Sequence, residues 1–436
     1  MHQQAPIRAA FAANVLFVFS AWHDPVARLL NVDLLAVAVA ILLPWSTTGV
    51  IIAMVLWLCA LVPTLDWPAL LRSLKRPACL APVALFGLAL AGMLWSDAAW
   101  AARLHAVGPA VKLLALPLLL YHFERTARGS WIFVAFLASS VLLLLASYGV
   151  AGEALRTPAP HIDMGIVVKN HLDQSHVFAL CAIALAYPIA SRFRARSFPA
   201  AWLLVAIALG FVANMAFVNV SRTALIATPV MLAVYLMRHH EWRGVVGMLC
   251  AAAAVGALCW FASPVLQAKI GSLFPPYRLY EPAGEPTSID IRSQYWRRSV
   301  GFIADAPLFG HGTGSTRTLF ERAATGQVGV AAEVTANPHN QTLNVAIQWG
   351  AAGVAALYAM WLLHLALFRG EGLASWIGLV VVVQNVASSL FNSHVFDFEE
   401  GWIYVLGVGV AGGMCLGASR HDLPDPGKIP VSDRAA

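Results

Sequence analysis

Arginines gather in one polar stretch of an otherwise apolar chain. The stretch runs from Pro264 to Asn344 and ends in Asn337-Pro338-His339-Asn340. Its arginines are Arg278, Arg292, Arg297, Arg298, Arg317 and Arg322. Guanidinium groups bind phosphate oxygens in pairs, and histidine titrates near neutral pH. We therefore expect this stretch to hold an anionic, phosphate-bearing substrate for a transfer reaction.

A helix is predicted from Ser288 to Ala304, because Arg292, Tyr295, Trp296 and Ser299 fall on one face at helical spacing. A row of arginines on such a helix can neutralise a pyrophosphate without a metal ion. The candidate substrate contacts beside Arg292 are Tyr295, Trp296, Arg297 and Arg298. The alternative is that this row is a solvated helix face.

A glycine-rich run, Pro307-Leu308-Phe309-Gly310-His311-Gly312-Thr313-Gly314, follows that helix. Its glycines supply either sharp turns or backbone N–H groups for an anion. No lysine and hydroxyl pair follows as in a P-loop, so nucleotide binding is not expected.

Arg222 lies in Ser221-Arg222-Thr223, between two apolar segments. An arginine at the end of a membrane span either extends toward water or has an anionic partner. Position alone leaves an interfacial anchor and a substrate contact open.

His339 precedes an apolar helix and is flanked by Asn337, Asn340 and Gln341. A histidine with a pKa near neutrality suits general-base work on a sugar hydroxyl, and neighbouring amides can fix its tautomer. The alternative is a helix-capping or surface residue. Asn340 is a further candidate for substrate binding.

Lys169 and Asn170 lie in the loop before the apolar segment at 174, and we expect both to contact the substrate, Lys169 as an anion contact. Several potential metal ligands surround them: His161, Asp163, His171, Asp173 and His176. Their spacing matches no established ligand pattern, so no metal site is expected.

The composition indicates a polytopic membrane protein. Of 436 residues, 59% are hydrophobic and 11% charged, with a mean hydropathy of +0.71. A soluble domain has about 25% charged residues, and here the charges cluster between long apolar runs. The net charge of +6 is modest, and in a membrane protein its distribution matters more than its sum. No nucleic-acid partner is expected. The six cysteines form no paired-spacing motif.

Apolar runs predict about twelve helical spans, since a chain in lipid must satisfy its backbone bonds within each segment. They lie near residues 9–28, 33–62, 79–96, 107–123, 130–150, 174–190, 200–219, 223–237, 244–263, 342–367, 373–391 and 401–418. The run 33–62 is long and contains Pro44, so it is either one kinked helix or a tight hairpin.

Lysine and arginine mark alternate short loops, which places those loops and both termini in the cytoplasm. The basic residues that set this orientation are Arg72, Lys75, Arg76, Arg125, Arg128, Arg192, Arg194, Arg196, Arg238, Arg243 and Arg369. The predicted organisation is nine spans in 1–263, a periplasmic loop with short helices in 264–341, three spans in 342–418 and a cytoplasmic tail in 419–436.

In this order, the motifs resemble those of the O-antigen ligase and O-antigen polymerase superfamily of bacterial inner-membrane glycosyltransferases. The resemblance covers most of the chain. It rests on the spans, the Ser-Arg pair, the arginine before Tyr-Trp, the Pro-Leu-Phe-Gly-x-Gly-x-Gly run and the His-Asn pair. Asn337-Pro338-His339 departs from the His-x-His form common in relatives, so a duty shared by two histidines is not expected.

The resemblance implies a GT-C-like membrane fold that transfers polysaccharide from undecaprenyl diphosphate to a lipid A core sugar on the periplasmic face of the inner membrane. It implies that Arg222 and Arg292 contact the diphosphate and that His339 lies at the reacting centre. Transfer would be inverting, without metal or other cofactor, and membrane lipid would surround both lipid-linked substrates.

Other functions stay open at this point. Within the superfamily, a polymerase or a protein O-oligosaccharyltransferase uses the same lipid-linked substrate. An anion or polysaccharide transporter is the alternative of another class. Transporters keep ionisable residues at the bilayer midplane and often contain inverted repeats, whereas here the charges lie at one face and no repeat is visible.

Overall fold

The computed structural model of the protein describes residues 24–154, 165–239, 241–271 and 288–421. Within these ranges the chain forms helices and loops and contains no strand. The earlier helices are α1 (Pro25–Leu42), α2 (Thr47–Leu61), α3 (Trp67–Leu74), α4 (Pro77–Ala91), α5 (Trp100–Val111), α6 (Ala115–Phe123), α7 (Gly129–Ala154), α8 (His171–Ala184) and α9 (Ala186–Arg194). The later helices are α10 (Phe198–Phe217), α11 (Arg222–His239), α12 (Trp242–Ala262), α13 (Pro264–Gly271), α14 (Ser288–Asp305), α15 (Ser315–Ala324), α16 (Gln341–Leu367), α17 (Leu373–Ser388) and α18 (Phe398–His421).

Ten segments of the described chain are long and apolar enough to cross a membrane. The protein is therefore an all-α polytopic membrane protein, as its composition predicts. Helix α11 matches the span predicted over 223–237, but an arginine near each end lowers its hydropathy. Helix α17 is apolar and has only 16 residues. Most of the span predicted over 9–28 lies outside the described residues.

The run 33–62 belongs to two helices, so the hairpin is the correct alternative. Helix α1 ends at Leu42 and α2 begins at Thr47. Helix α1, and α2 together with the 3₁₀ turn that extends it to Thr64, are each long enough to count as a span. The Ser46 hydroxyl accepts a hydrogen bond from the Gly49 amide at 3.0 Å and caps α2. The indole N–H of Trp45 donates to the Ser139 hydroxyl at 2.8 Å, which fixes the turn to α7.

The chain divides into two compact units. The first unit contains Met1–Leu74, Ser130–Glu285 and Phe396–Ile403. The second unit contains Lys75–Gly129, Pro286–Val395 and Tyr404–Ala436. Helices α8 to α11 thus belong to the first unit, and α14 to α17 belong to the second.

Gly350 breaks α16 in the second unit, with φ of 57° and ψ of −150°. A break in a helix removes the usual partners of its backbone amides and carbonyls, and hydrocarbon offers no replacement. The glycine-rich run supplies them from alongside. The bonds, donor first, are His311 N to Ile347 O at 2.8 Å, Gly312 N to Gln348 O at 2.8 Å, Ala351 N to Pro307 O at 2.8 Å and Ala352 N to Leu308 O at 3.2 Å.

The close approach at this break explains the glycines. Gly310 has a φ of +64°, and a Cβ there would lie 2.5 Å from the carbonyl carbon of Gln348. The amide of Gly314 donates to the side-chain oxygen of Gln348 at 2.9 Å. The run therefore supplies the sharp turns, and its amides at 312 and 314 bind protein oxygens.

We expect Gly310→Ala to destabilise the second unit. The positive φ alone costs an alanine about 1–3 kcal/mol, and the backbone contact adds to this cost. Gly301 is the matched control, because it is an exposed helical glycine where an added Cβ would meet no other atom within 4 Å. Gly301→Ala should leave stability unchanged or raise it slightly. Thermal unfolding of both variants in detergent measures the difference, and equal melting temperatures would contradict the explanation.

Candidate functional site

Helix α14 confirms the helix predicted over 288–304. Tyr295 and Ser299 are buried, whereas Arg292 and Trp296 are half-buried. The face predicted from their spacing is thus the packed face of the helix, and Arg292 lies at its margin rather than on a fully solvated side.

Two aromatic side chains of α14 contact the segment that carries His339. The indole N–H of Trp296 donates to the carbonyl of Pro338 at 3.0 Å. The ring of Tyr295 lies 6.4 Å from the His339 ring, with 24° between their planes. Burial raises the pKa of Tyr295 and the nearby carboxylate of Glu333 raises it further, so this phenol is uncharged at neutral pH.

His339 occupies the left-handed backbone region, with a φ of +56°. Few residues other than glycine adopt this conformation, and it persists where the surroundings enforce it. The cap of α16 is Asn340, whose side chain accepts from the Leu343 amide at 3.0 Å and donates to the Leu390 carbonyl at 3.0 Å. His339 is therefore not the helix cap, and the role predicted for Asn340 in substrate binding stays a prediction.

Two asparagines also hold His339. Its backbone N–H donates to Oδ1 of Asn337 at 2.9 Å. Nδ2 of Asn337 donates to Oδ1 of Asn392 at 3.1 Å, and the same Asn392 oxygen lies 3.0 Å from Nδ1 of His339. Both the backbone and the ring of the histidine are thus oriented, which suits a group that moves a proton in a fixed direction.

The arginines of α14 differ in what they bind. One terminal nitrogen of Arg298 donates to the carbonyls of Ala323, at 3.1 Å, and Ala331. This guanidinium therefore ties α14 to α15 and to the turn that follows it. Arg297, the residue before it, is exposed. Substrate binding by Arg292, Arg297 and Arg298 stays a prediction.

In the first unit, Arg222 is the first residue of α11. The hydroxyl of Ser221 caps this helix by accepting from the Ala224 amide at 3.1 Å. The Ser221 amide donates to the hydroxyl of Ser175 at 3.0 Å, and Ser175 donates to the His171 carbonyl at 2.6 Å. Since Ser175 and Ser221 are both buried, the backbone that carries Arg222 is fixed against α8.

Lys169 and Asn170 open α8. The Lys169 ammonium donates to the Leu43 carbonyl at 2.6 Å and forms an ion pair with Glu399. Asn170 caps the helix by accepting from the amides of Leu172 and Asp173, at 2.8 and 3.0 Å. Both residues therefore have structural partners here, and their roles toward a substrate stay predictions.

Sequence reasoning missed Asn392 and Glu399. Asn392 is 53 residues from His339, and Glu399 is 230 residues from Lys169. For Asn392 the sequence did contain a signal. Asn392 and Ser393 are polar residues in a short loop between two predicted spans, and that loop is predicted on the same side of the membrane as His339.

Comparison with known families agrees with the resemblance noted in the sequence. A model of the O-antigen ligase family matches residues 205–359. The matched segment is less than half of the 436-residue chain, and this part of the chain is similar to O-antigen ligases. No match was found among curated proteins.

The O-antigen ligase match begins in α10 and ends in α16. It includes Arg222, Arg292 and His339, whereas Lys169 and Asn392 lie outside it. The family that this segment resembles has a glycosyltransferase-like ligase or polymerase activity.

The adjacent residues Arg298 and Arg297 allow a test of whether the hydrogen bonds of Arg298 hold the polar loop, since Arg297 is exposed. We expect Arg298→Ala to lower the melting temperature and to speed proteolysis between residues 315 and 332, because hydrogen bonds from a charged group stabilise by about 1.5–3 kcal/mol. Arg297→Ala, at an exposed position, should leave both unchanged. Limited proteolysis followed by mass spectrometry gives the cleavage rates. Equal rates in the two variants would show that Arg298 does not hold the loop.

Proposed function

We propose that this protein transfers O-antigen polysaccharide from undecaprenyl diphosphate to a sugar hydroxyl of the lipid A core. The active site faces the periplasm, both termini lie in the cytoplasm, and the reaction inverts the anomeric carbon. The family match supports the general reaction class. The choice of lipid A core as acceptor rests on the sequence resemblance and on a compact chain with one large polar loop.

The observation that carries the proposal is the conformation of His339. A histidine with a φ of +56° is hydrogen-bonded through its backbone to Asn337 and through its ring to Asn392. Such restraint is costly and is typical of residues at reacting centres. Arg292 lies on α14, the helix whose Tyr295 and Trp296 pack against the histidine segment.

The proposed reaction forms one bond, breaks one bond and transfers one proton. The acceptor oxygen forms a bond to the anomeric carbon while the bond from that carbon to the diphosphate oxygen breaks. The electron pair leaves with undecaprenyl diphosphate, and the acceptor proton passes to His339. Arg292 and Arg222 stabilise the negative charge that grows on the diphosphate, which a fixed cation does best where water is excluded.

Reconstituted transfer tests the function directly. Purified protein in liposomes receives undecaprenyl-diphosphate-linked polysaccharide and lipid A core, with and without excess chelator. We expect polysaccharide-bearing lipid A core in both conditions. Longer lipid-linked polysaccharide with an unmodified core would identify a polymerase instead. Loss of activity in chelator that magnesium or manganese restores would refute the metal-free mechanism.

The roles of arginine and histidine are separable. Arg222→Lys and Arg292→Lys should weaken binding of the lipid-linked substrate nearly as much as the alanine variants, because lysine keeps the charge and loses the planar fork. His339→Ala should bind this substrate normally and transfer about 10²–10⁴-fold more slowly, the usual effect of removing a positioned base. Binding and single-turnover transfer are measured on the same preparations. A His339→Ala protein with wild-type transfer rate would remove the histidine from the mechanism.

A further inference from the structure

A continuous set of side-chain hydrogen bonds joins the glycine-rich run to His339 within the second unit. We call its members the amide network: Gln348, Asn344, Ser393, Asn337 and Asn392. The bonds, donor first, are Gly314 N to Gln348 Oε1 at 2.9 Å, Gln348 Nε2 to Asn344 Oδ1 at 3.0 Å, Asn344 Nδ2 to Ser393 Oγ at 3.1 Å, Ser393 Oγ to Asn337 Oδ1 at 2.7 Å and Asn337 Nδ2 to Asn392 Oδ1 at 3.1 Å.

Backbone donors fix the orientation of the amides in this network. The backbone N–H of His339 can only donate, so the Asn337 atom 2.9 Å from it is the oxygen. The other Asn337 atom is then the NH₂ group, and its partner on Asn392 must be an oxygen. At the far end, the Gly314 amide fixes Gln348 in the same way. Neither end of the network can be reversed without placing two donors or two acceptors together.

The same logic determines the tautomer of His339. Oδ1 of Asn392 accepts hydrogen bonds and cannot donate, and it lies 3.0 Å from Nδ1 of the histidine. Nδ1 of the ring therefore carries the proton. In the neutral ring the lone pair is then on Nε2, which is the atom that can accept a proton.

Burial restrains the part of the network nearest the glycine-rich run. Ser393 is 1% exposed, Asn344 6% and Gln348 7%, whereas Asn337 and Asn392 are half-buried. A buried amide that loses its partner costs about 1–3 kcal/mol, so Gln348, Asn344 and Ser393 hold Asn337 in one orientation, and Asn337 in turn orients Asn392. The backbone of the loop at 389–395 adds two contacts to α16: Gln341 N donates to Ser389 O at 2.9 Å and Val395 N donates to Gln341 Oε1 at 2.9 Å.

We propose that Asn392 is the positioning residue that holds His339 with its proton on Nδ1, so that Nε2 receives the proton of the acceptor hydroxyl. The proposal rests on the proposed function of His339 as a base. Asn392 acts through the histidine, and the amide network fixes Asn392.

The experiment compares Asn392→Leu, Asn392→Asp and wild type in two measurements. The first is the ¹⁵N spectrum of histidine-labelled protein without substrate, with the His339 signals assigned from their loss in His339→Ala. The second is transfer kinetics with varied lipid-linked substrate. Asn392→Leu should shift the His339 nitrogen signals toward a mixture of tautomers and lower kcat about 10²-fold, with little change in KM. Asn392→Asp keeps an acceptor for Nδ1–H, so it should retain the tautomer and most of the rate.

Asn385→Leu is the control for loss of an amide that has no contact with His339, and it is the more buried of the two positions. Asn385 lies on α17 and accepts from the indole of Trp361 at 3.2 Å, with no part in the amide network. Its variant should lose stability and keep the His339 signals and kcat.

Two results would overturn the proposal. His339 nitrogen signals that are unchanged in Asn392→Leu would show that Asn392 does not set the tautomer, whatever the activity. A kcat for Asn392→Leu equal to that of Asn385→Leu would show only a structural effect. Failure of the proposed function is seen separately, as a wild-type transfer rate in His339→Ala.

Discussion

A helix that breaks inside or beside a membrane must find partners for the backbone groups that the break exposes, and the second unit is built on this constraint. Gly350 interrupts α16, and the run from Pro307 to Gly312 supplies two amides and two carbonyls to the broken turn. Each exposed group left without a partner in hydrocarbon would cost several kcal/mol. The polar loop is therefore fixed to the helix by backbone hydrogen bonds, which depend on local shape more than on side-chain type.

The break also links the glycine-rich run to the candidate reacting centre. Gln348 lies just before Gly350 and accepts from Gly314, and its amide begins the network that ends at Asn392 and His339. In addition, α14 packs Tyr295 and Trp296 against the His339 segment. A histidine with a positive φ whose backbone and ring are both hydrogen-bonded has little freedom to change rotamer or tautomer. The histidine is therefore ordered during folding, so the entropy of ordering it is not lost again when the substrate binds.

The sequence predicts the helices and the types of functional residue better than it predicts which distant residues contact each other. Hydropathy predicts the spans, helical spacing predicts α14, and Pro44 with the residues after it allows the hairpin of α1 and α2. Local pattern cannot pair Asn392 with His339 or Glu399 with Lys169, since these contacts join distant parts of the chain. The glycine-rich run was ambiguous for a related reason. Its turns follow from glycine itself, whereas the destination of its amides depends on a break in α16 that no proline marks.

The charge available to a diphosphate is smaller than a count of basic residues suggests. The ammonium of Lys169 is paired with Glu399, and one end of Arg298 is bound to two carbonyls of its own loop. A paired cation contributes less to an incoming anion, because substrate binding must compete with the existing partner or share it. A phosphate-binding role must therefore be shown for each arginine separately. The evidence is a loss of diphosphate binding when that arginine is replaced by lysine, which keeps the charge and lacks the planar guanidinium.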